Sequence, residues 1–106
     1  MNWIYEEGRI YCEDENKKLM AEAILIVKTN GELDIEHVFV DSSLRGQGIA
    51  GKIMEAVAEH LRENRLRATA TCSYAKSWLI KNRVFYEDII SLDENEIIAC
   101  KIDGRH

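Results

Sequence analysis

The sequence predicts one α/β domain of the mixed α+β kind: an antiparallel N-terminal meander of strands, then a β-α-β unit. Three observations predict it. Asn30-Gly31 separates two apolar, β-branched runs, and Asn-Gly in that setting is the strongest short hairpin signal. From Gly48 onward Ile49, Ile53, Val57 and Leu61 recur four apart, the spacing of one helix face. Leu66 to Cys72 then alternates apolar and polar residues, the period of a strand. Strand, crossover helix and strand place the two strands parallel.

The chain's 106 residues make a single domain over 1–106, and a hydrophobic content of 46% is enough for one core. The formal net charge of −5 argues against general nucleic-acid binding. It suits a basic partner such as an amine. No apolar run is long enough to span a membrane and no signal peptide is visible. Cys12, Cys72 and Cys100 are odd in number and lack metal-ligand spacing. They predict no metal site and a reduced, cytoplasmic compartment.

In chain order, Met1 to Tyr5 is a short apolar start and Glu6-Glu7-Gly8 a turn. Arg9 to Glu13 reads as a strand with Ile10 and Cys12 on one face and Tyr11 on the other. Asp14 to Lys18 is a polar turn. Leu19 to Lys28 is a strand whose unbroken apolar centre predicts burial on both faces. After the Asn30-Gly31 turn, Leu33 to Val40 runs back antiparallel. The helix spans Gly48 to Asn64, roughly 25 Å at 1.5 Å per residue, with Lys52, Glu55, Glu59, Arg62 and Glu63 on its water-facing side and His60 a surface residue. A second helix is expected from Ser73 to Lys81, stopped by Asn82. A further strand is expected over 97–102.

The distinctive stretch lies between the second hairpin strand and the long helix: Asp41-Ser42-Ser43-Leu44, then Arg45-Gly46-Gln47-Gly48-Ile49-Ala50-Gly51. Glycines without Cβ let backbone amides approach an anion, and a helix N-terminus favours phosphate. Gly46 to Gly51 spells the dinucleotide pattern G-x-G-x-x-G. That reading needs a strand leading directly into the first glycine and an acid about 20 positions on. Asp41 to Arg45 intervenes instead, and Leu66 to Tyr74 holds no acid.

Arg45-Gly46-Gln47-Gly48-Ile49-Ala50 resembles the [Q/R]-x-x-G-x-[G/A] signature of the GNAT superfamily of acyl-CoA N-acyltransferases. The preceding Val38-Phe39-Val40-Asp41 resembles that family's fourth strand. With Cys72-Ser73-Tyr74-Ala75 and Trp78, the pattern is similar to the short bacterial YjdJ-type branch, over Gly8 to Ile90. The resemblance implies a GNAT-like fold whose two parallel strands splay apart, and acetyl transfer from acetyl-CoA, as cosubstrate, to an amine. It implies that pantetheine pairs with backbone near Phe39 and Val40. The pyrophosphate would rest on amides of Gly46, Gln47, Gly48, Ile49 and Ala50, with Arg45 beside a phosphate.

Five residues are weighed for the chemistry, His37, Cys72 and Tyr74 foremost. His37, beside the expected cleft, is of the side-chain type that titrates near neutral pH. Strand parity groups it with Ile35 and Phe39, so it is a hydrogen-bonded structural residue if that face is core, and otherwise a base or substrate-orienting group. Glu36 is the alternative base. Cys72 is a small apolar residue, a contact to the cofactor sulfur, or a carrier of the acyl group. Tyr74 is a packing residue or, by the resemblance, the group that orients or protonates the cofactor thiol. Trp78 is a core residue or a substrate platform. An acyl-CoA-binding module with little turnover uses the same cofactor site without the chemistry, and an interaction protein on this scaffold would use neither.

Overall fold

The structure, a computed structural model, describes residues 2–91. The strand expected over 97–102 and Cys100 lie outside the described residues. Strands β1 (Ile4–Glu6), β2 (Arg9–Glu13), β3 (Leu19–Val27), β4 (Leu33–Val40) and β5 (Ala68–Ala70) form one sheet in chain order. The first four pair antiparallel, and β5 lies parallel to β4. Helix α1 (Ile49–Glu63) makes the crossover, α2 (Ser73–Lys81) follows β5, and a single turn, α3 (Arg83–Tyr86), follows α2.

The β3–β4 hairpin forms where Asn30-Gly31 predicts it, through a loop longer than two residues. The Lys28 amide donates to the Glu32 carbonyl at 2.7 Å. The Asn30 side-chain oxygen accepts from the Glu32 amide at 3.0 Å. Gly31 takes the left-handed φ of 87° that closes the turn.

The expected helical stripe of α1 becomes its core face. Ile49, Ile53, Met54, Val57 and Leu61 are buried against side chains of β2, β3 and β4. Each such aliphatic side chain contributes about 1.5–3 kcal/mol on burial. Ala75 and Leu79 of α2 join the same cluster.

The two-sided burial expected of β3 is not what forms. Ala21, Ala23 and Leu25 are buried, whereas Ile26 is 44% and Val27 65% exposed. An apolar run reports hydrophobicity, not coverage: α1 packs on the face that carries Ala21, Ala23 and Leu25. On β2, Tyr11 is buried along with Ile10 and Cys12. Its ring lies 3.6 Å under the Arg9 guanidinium, and its hydroxyl donates to Glu6 at 3.0 Å.

The strand expected over Leu66 to Cys72 shortens to Ala68–Ala70. At its start, the Ala68 amide turns to the Ile89 carbonyl and the Ser91 amide donates to the Ala68 carbonyl, at 2.7 and 2.8 Å. Arg62, near the end of α1, holds that closing segment. Its Nε and Nη2 reach the Asp88 carboxylate at 2.8 Å each, and Nη2 also donates to the Phe85 carbonyl at 2.7 Å.

Candidate active site

β5 pairs with residues 33–35 of β4 and no further. The amides of Thr71 and Cys72 both donate to the Ile35 carbonyl, each at 3.1 Å, and the chain then turns into α2. β4 continues to Val40 with, among the described residues, β3 alone beside it. Residues 36–40 therefore have an open edge on the β5 side, and backbone groups on such an edge need partners. Among the described residues, the Val40 carbonyl receives only a long contact, 3.4 Å, from Arg45 Nε. A ligand carrying amide groups can pair along this edge as a strand would.

A register shift sets which side chains flank the edge. Ile24 lies opposite His37, but Leu25 lies opposite Ile35, so Glu36 is the extra residue of a β-bulge. Ile35 is fully buried, while Glu36 and His37 are exposed. Val38 and Val40 pack on the core. His37 therefore shares a face with Phe39 and not with Ile35, and the condition for a buried structural histidine is not met. A bulge next to a cleft re-aims side chains in this way.

The connection from β4 to α1 is held from below. Asp41 begins a 3-10 turn, Ser42–Leu44, and its carboxylate accepts from the Ser43 amide at 3.1 Å and from the Ser43 hydroxyl. The Ser43 hydroxyl chiefly, then the Ser43 amide, with Lys18 adding, keep the Asp41 carboxyl below its ordinary value. Gly46 and Gly48 follow with φ of 84° and 74°, and a Cβ at either would meet no atom within 4 Å. Both glycines are thus required by backbone conformation, and the space beside them is open. Gly48 is the N-cap of α1 and offers no side-chain cap, and the first turn carries no acid. The amides there lack intrahelical acceptors, as in any helix. The arrangement fits an anion the size of a pyrophosphate.

On the other side of the split, Cys72 is the N-cap of α2 and a half-buried free thiol. Tyr74 stands in the first turn of α2. Partial burial raises its phenol above the ordinary value, and the nearby Cys72 sulfur adds to this. At neutral pH the phenol is therefore protonated and able to give up a proton. Trp78 packs on Tyr86 with ring centroids 5.2 Å apart, and its indole Nε1 lies 3.8 Å from where a Cβ on Gly51 would stand. His60 lies far along α1 from the glycine turn, stacked on Tyr5 at 5.4 Å.

The structure thus assembles Phe39, Val40 and His37 on one lip of the split, Cys72 and Tyr74 on the other, and the turn from Arg45 to Ala50 at the end of the β4 lip. The sequence reading missed the part played by Asp41. Its signal was legible in Asp41-x-Ser43, an acid that caps the amide two residues on. Among the described residues no group of three or more His, Cys, Asp or Glu could hold a metal ion, and no helix is long and apolar enough to cross a membrane.

A family model described as GCN5-related N-acetyl-transferase matches residues 9–89. The solution NMR structure of a GCN5-like protein from Staphylococcus aureus, assigned as an N-acetyltransferase, is similar to this chain. Identity is 34%, the match covers 88% of this chain and 91% of that one, and the TM-score is 0.67. An integron cassette protein from Vibrio cholerae shares the fold at 23% identity and a TM-score of 0.51. Ribosomal-protein-alanine N-acetyltransferase from Brucella melitensis biovar Abortus 2308 shares it at 17% and 0.50. Those two matches cover 82% and 84% of this chain, which spans only 56% and 66% of theirs. No curated protein matches the sequence.

Proposed function

This chain belongs to the GCN5-related N-acetyltransferase family, and on that premise we propose that it carries an acetyl group from acetyl-CoA directly to an amine. One observation carries the reading: the split between β4 and β5 and the open glycine turn meet at one end of the sheet. The turn offers amides to the pyrophosphate. The open edge of residues 36–40 offers backbone pairing to the pantetheine amides. The thioester then comes to the lip formed by Cys72 and Tyr74.

Transfer forms a bond from the amine nitrogen to the carbonyl carbon and breaks the carbon–sulfur bond. Three demands follow. The amine must lose a proton to attack, and His37, exposed beside the bulge, accepts it, with Glu36 as the alternative. The carbonyl oxygen gathers negative charge, which an unpaired backbone N–H near Val40 stabilises. The leaving thiolate takes a proton, and the protonated phenol of Tyr74 supplies it. Cys72 contacts the cofactor sulfur in this scheme. A covalent variant has Cys72 take the acetyl group first and pass it to the amine, with the same overall balance.

The test is a binding and transfer experiment on the intact chain. Calorimetry should show acetyl-CoA and CoA binding with a raised melting temperature, while NAD gives neither. Mass spectrometry should then show acetylation within a panel of primary amines and peptides. Binding without transfer to any amine would favour an acyl-CoA-binding module. No heat and no melting shift at saturating acetyl-CoA would remove the reading altogether.

A further inference from the structure

The split lies on the β5 side of the sheet. On the other side β1 is the edge strand, and among the described residues no strand pairs with its outer edge. Backbone N–H and C=O groups on such an edge are a template for another chain. All three residues of β1 are exposed, Ile4 at 39% and Tyr5 at 50%. Two cavities share Tyr5 as a wall. One, of about 290 Å³, lies between Trp3 and the Lys52, Glu55, Ala56 and Glu59 side of α1. The other, of about 300 Å³, is lined chiefly by Leu25, Val27, Leu33 and Leu66, with Glu6 and Glu7 beside them. Glu6 is engaged by Arg9 and Tyr11. Glu7, Glu55 and Glu59 form no ion pair or hydrogen bond among the described residues. Around the two cavities, three carboxylates without an ion-pair partner thus stand against one ammonium, Lys52.

We propose that the outer edge of β1, with the two cavities beside it, is a docking site for an extended basic segment of another protein, which adds to the sheet as a further strand. In this mode main-chain hydrogen bonds give affinity and pockets for alternate side chains give specificity. An added strand turns every second side chain toward α1, about 7 Å apart. The segment that fits carries an aliphatic residue for the cavity of Leu25, Leu33 and Leu66. It carries basic residues two positions to either side, for Glu7 and for Glu55 and Glu59. Charge decides against the other occupants. A second copy of this chain would bring the same carboxylates to the same edge, and like charges set opposite each other repel. Residues 92–106 of the chain itself carry Asp93, Glu94, Glu96 and Asp103 against Lys101 and Arg105. They also depart from Ser91, which is bonded to Ala68 at the opposite edge of the sheet. The site lies away from the split, so the inference goes beyond the acetyl-transfer reading and does not depend on it.

The probe is an end-capped peptide, Thr-Arg-Thr-Val-Thr-Arg-Thr, titrated into the isotopically labelled intact chain and followed by backbone amide NMR shifts. Capped and built on arginine, it has no amine to be acetylated, so it cannot report the acceptor site. Saturable shifts should appear at Trp3, Tyr5 and residues 52–59 and not at residues 46–50. The same peptide with glutamate for arginine should not bind. Glu55→Lys with Glu59→Lys should weaken binding about tenfold, whereas Glu15→Lys with Glu87→Lys, the same change of net charge at residues lining neither cavity, should leave it within about twofold. All four residues are exposed, so both variants should stay folded. A strand pairs through one edge, so methylating the peptide's alternate backbone amides should abolish binding in one register and spare it in the other. No saturable shift at Trp3 and Tyr5 would overturn the inference, as would equal binding of the glutamate peptide. So would equal weakening by the two double variants, or equal binding of the two methylated forms. A dimer of the chain alone, seen by sedimentation and dispersed by Tyr5→Asp, would give the edge to a second copy and overturn it as well.

Discussion

Replacing Gly48 by asparagine separates what the backbone needs at that position from what a bound anion needs. Gly48 sits at φ 74° and ψ 13°. A left-handed conformation costs an ordinary L-residue about 1–2 kcal/mol, and asparagine is among the residues that tolerate it best. A Cβ there meets no atom within 4 Å, so no packing penalty is added. The stability loss should stay below about 1 kcal/mol, a fall in melting temperature of no more than about 4–8 °C for a domain near 100 residues. The open space around the new Cβ is, however, the space a phosphate would enter. Losing one charge-assisted amide contact, worth about 1.5–3 kcal/mol, weakens binding by about ten- to a hundredfold. Gly51→Ala is the control. Its Cβ stands 3.8 Å from Trp78 Nε1, an ordinary contact, and alanine within a helix is favoured over glycine by about 0.8–1 kcal/mol. That variant should melt several degrees higher and bind as the wild type does. Thermal melts with and without acetyl-CoA, together with calorimetry, read both effects. A folded Gly48→Asn chain that binds acetyl-CoA within a factor of about three of wild type would refute the argument that the turn's backbone is the cradle.

Cys72, half-buried at the head of α2, should be protected from alkylation by acetyl-CoA, whereas Cys12 is buried in the core, its thiol pushed up by that burial, and should react slowly in either state. Cys72→Ala should keep cofactor binding and lose most transfer activity, and a covalent role would show acetyl-Cys72 by mass spectrometry when no amine is present. Tyr74→Phe should lower kcat about a hundredfold or more and remove the alkaline fall in rate. Because the folded phenol titrates above its ordinary 10.0, its contribution to stability is complete below that pH and is lost as pH rises through the folded value. The acid side runs the other way. Asp41, Asp88 and Glu32 are held below their ordinary 3.8, 3.8 and 4.5, chiefly by hydrogen bonds from Ser43, Arg62 and Ser91 respectively. Their stabilisation is present above those values and lost as pH falls through the depressed ones, so urea midpoints should drop there, and Asp41→Asn should flatten part of the drop.

Much of the frame was legible because it rests on local chemistry. Gly48, Asn64, Ser73 and Asn82 mark helix ends in the sequence, and the structure puts α1 and α2 between them. The Asn30-Gly31 turn and the parallel β4–β5 pair follow from turn chemistry and crossover geometry. What was not legible depends on partners distant in sequence. The side to which His37 points is fixed by the mispairing of Ile24 and Leu25 with β4, which no pattern within β4 reveals. The exposure of Ile26 and Val27 depends on where the helices pack. The end of β5 depends on a single carbonyl, that of Ile35, receiving two amides.

The bulge at Glu36 also limits how this chain can change its length. Strand residues alternate sides with a period of two, so one residue more or less between His37 and Val40 reverses every side chain beyond it. Glu36 itself is the exception: Leu25 already faces Ile35 and Ile24 already faces His37, so deleting Glu36 would close the bulge and leave His37 and Phe39 on the outer face and Val38 and Val40 on the core. The stretch from His37 to Val40 therefore behaves like a ruled scale, in which single-residue insertions or deletions are costly, and Glu36 is where one residue can be lost. Length variation among proteins of this shape should accumulate instead in the Lys28–Glu32 loop, whose ends are already tied to each other.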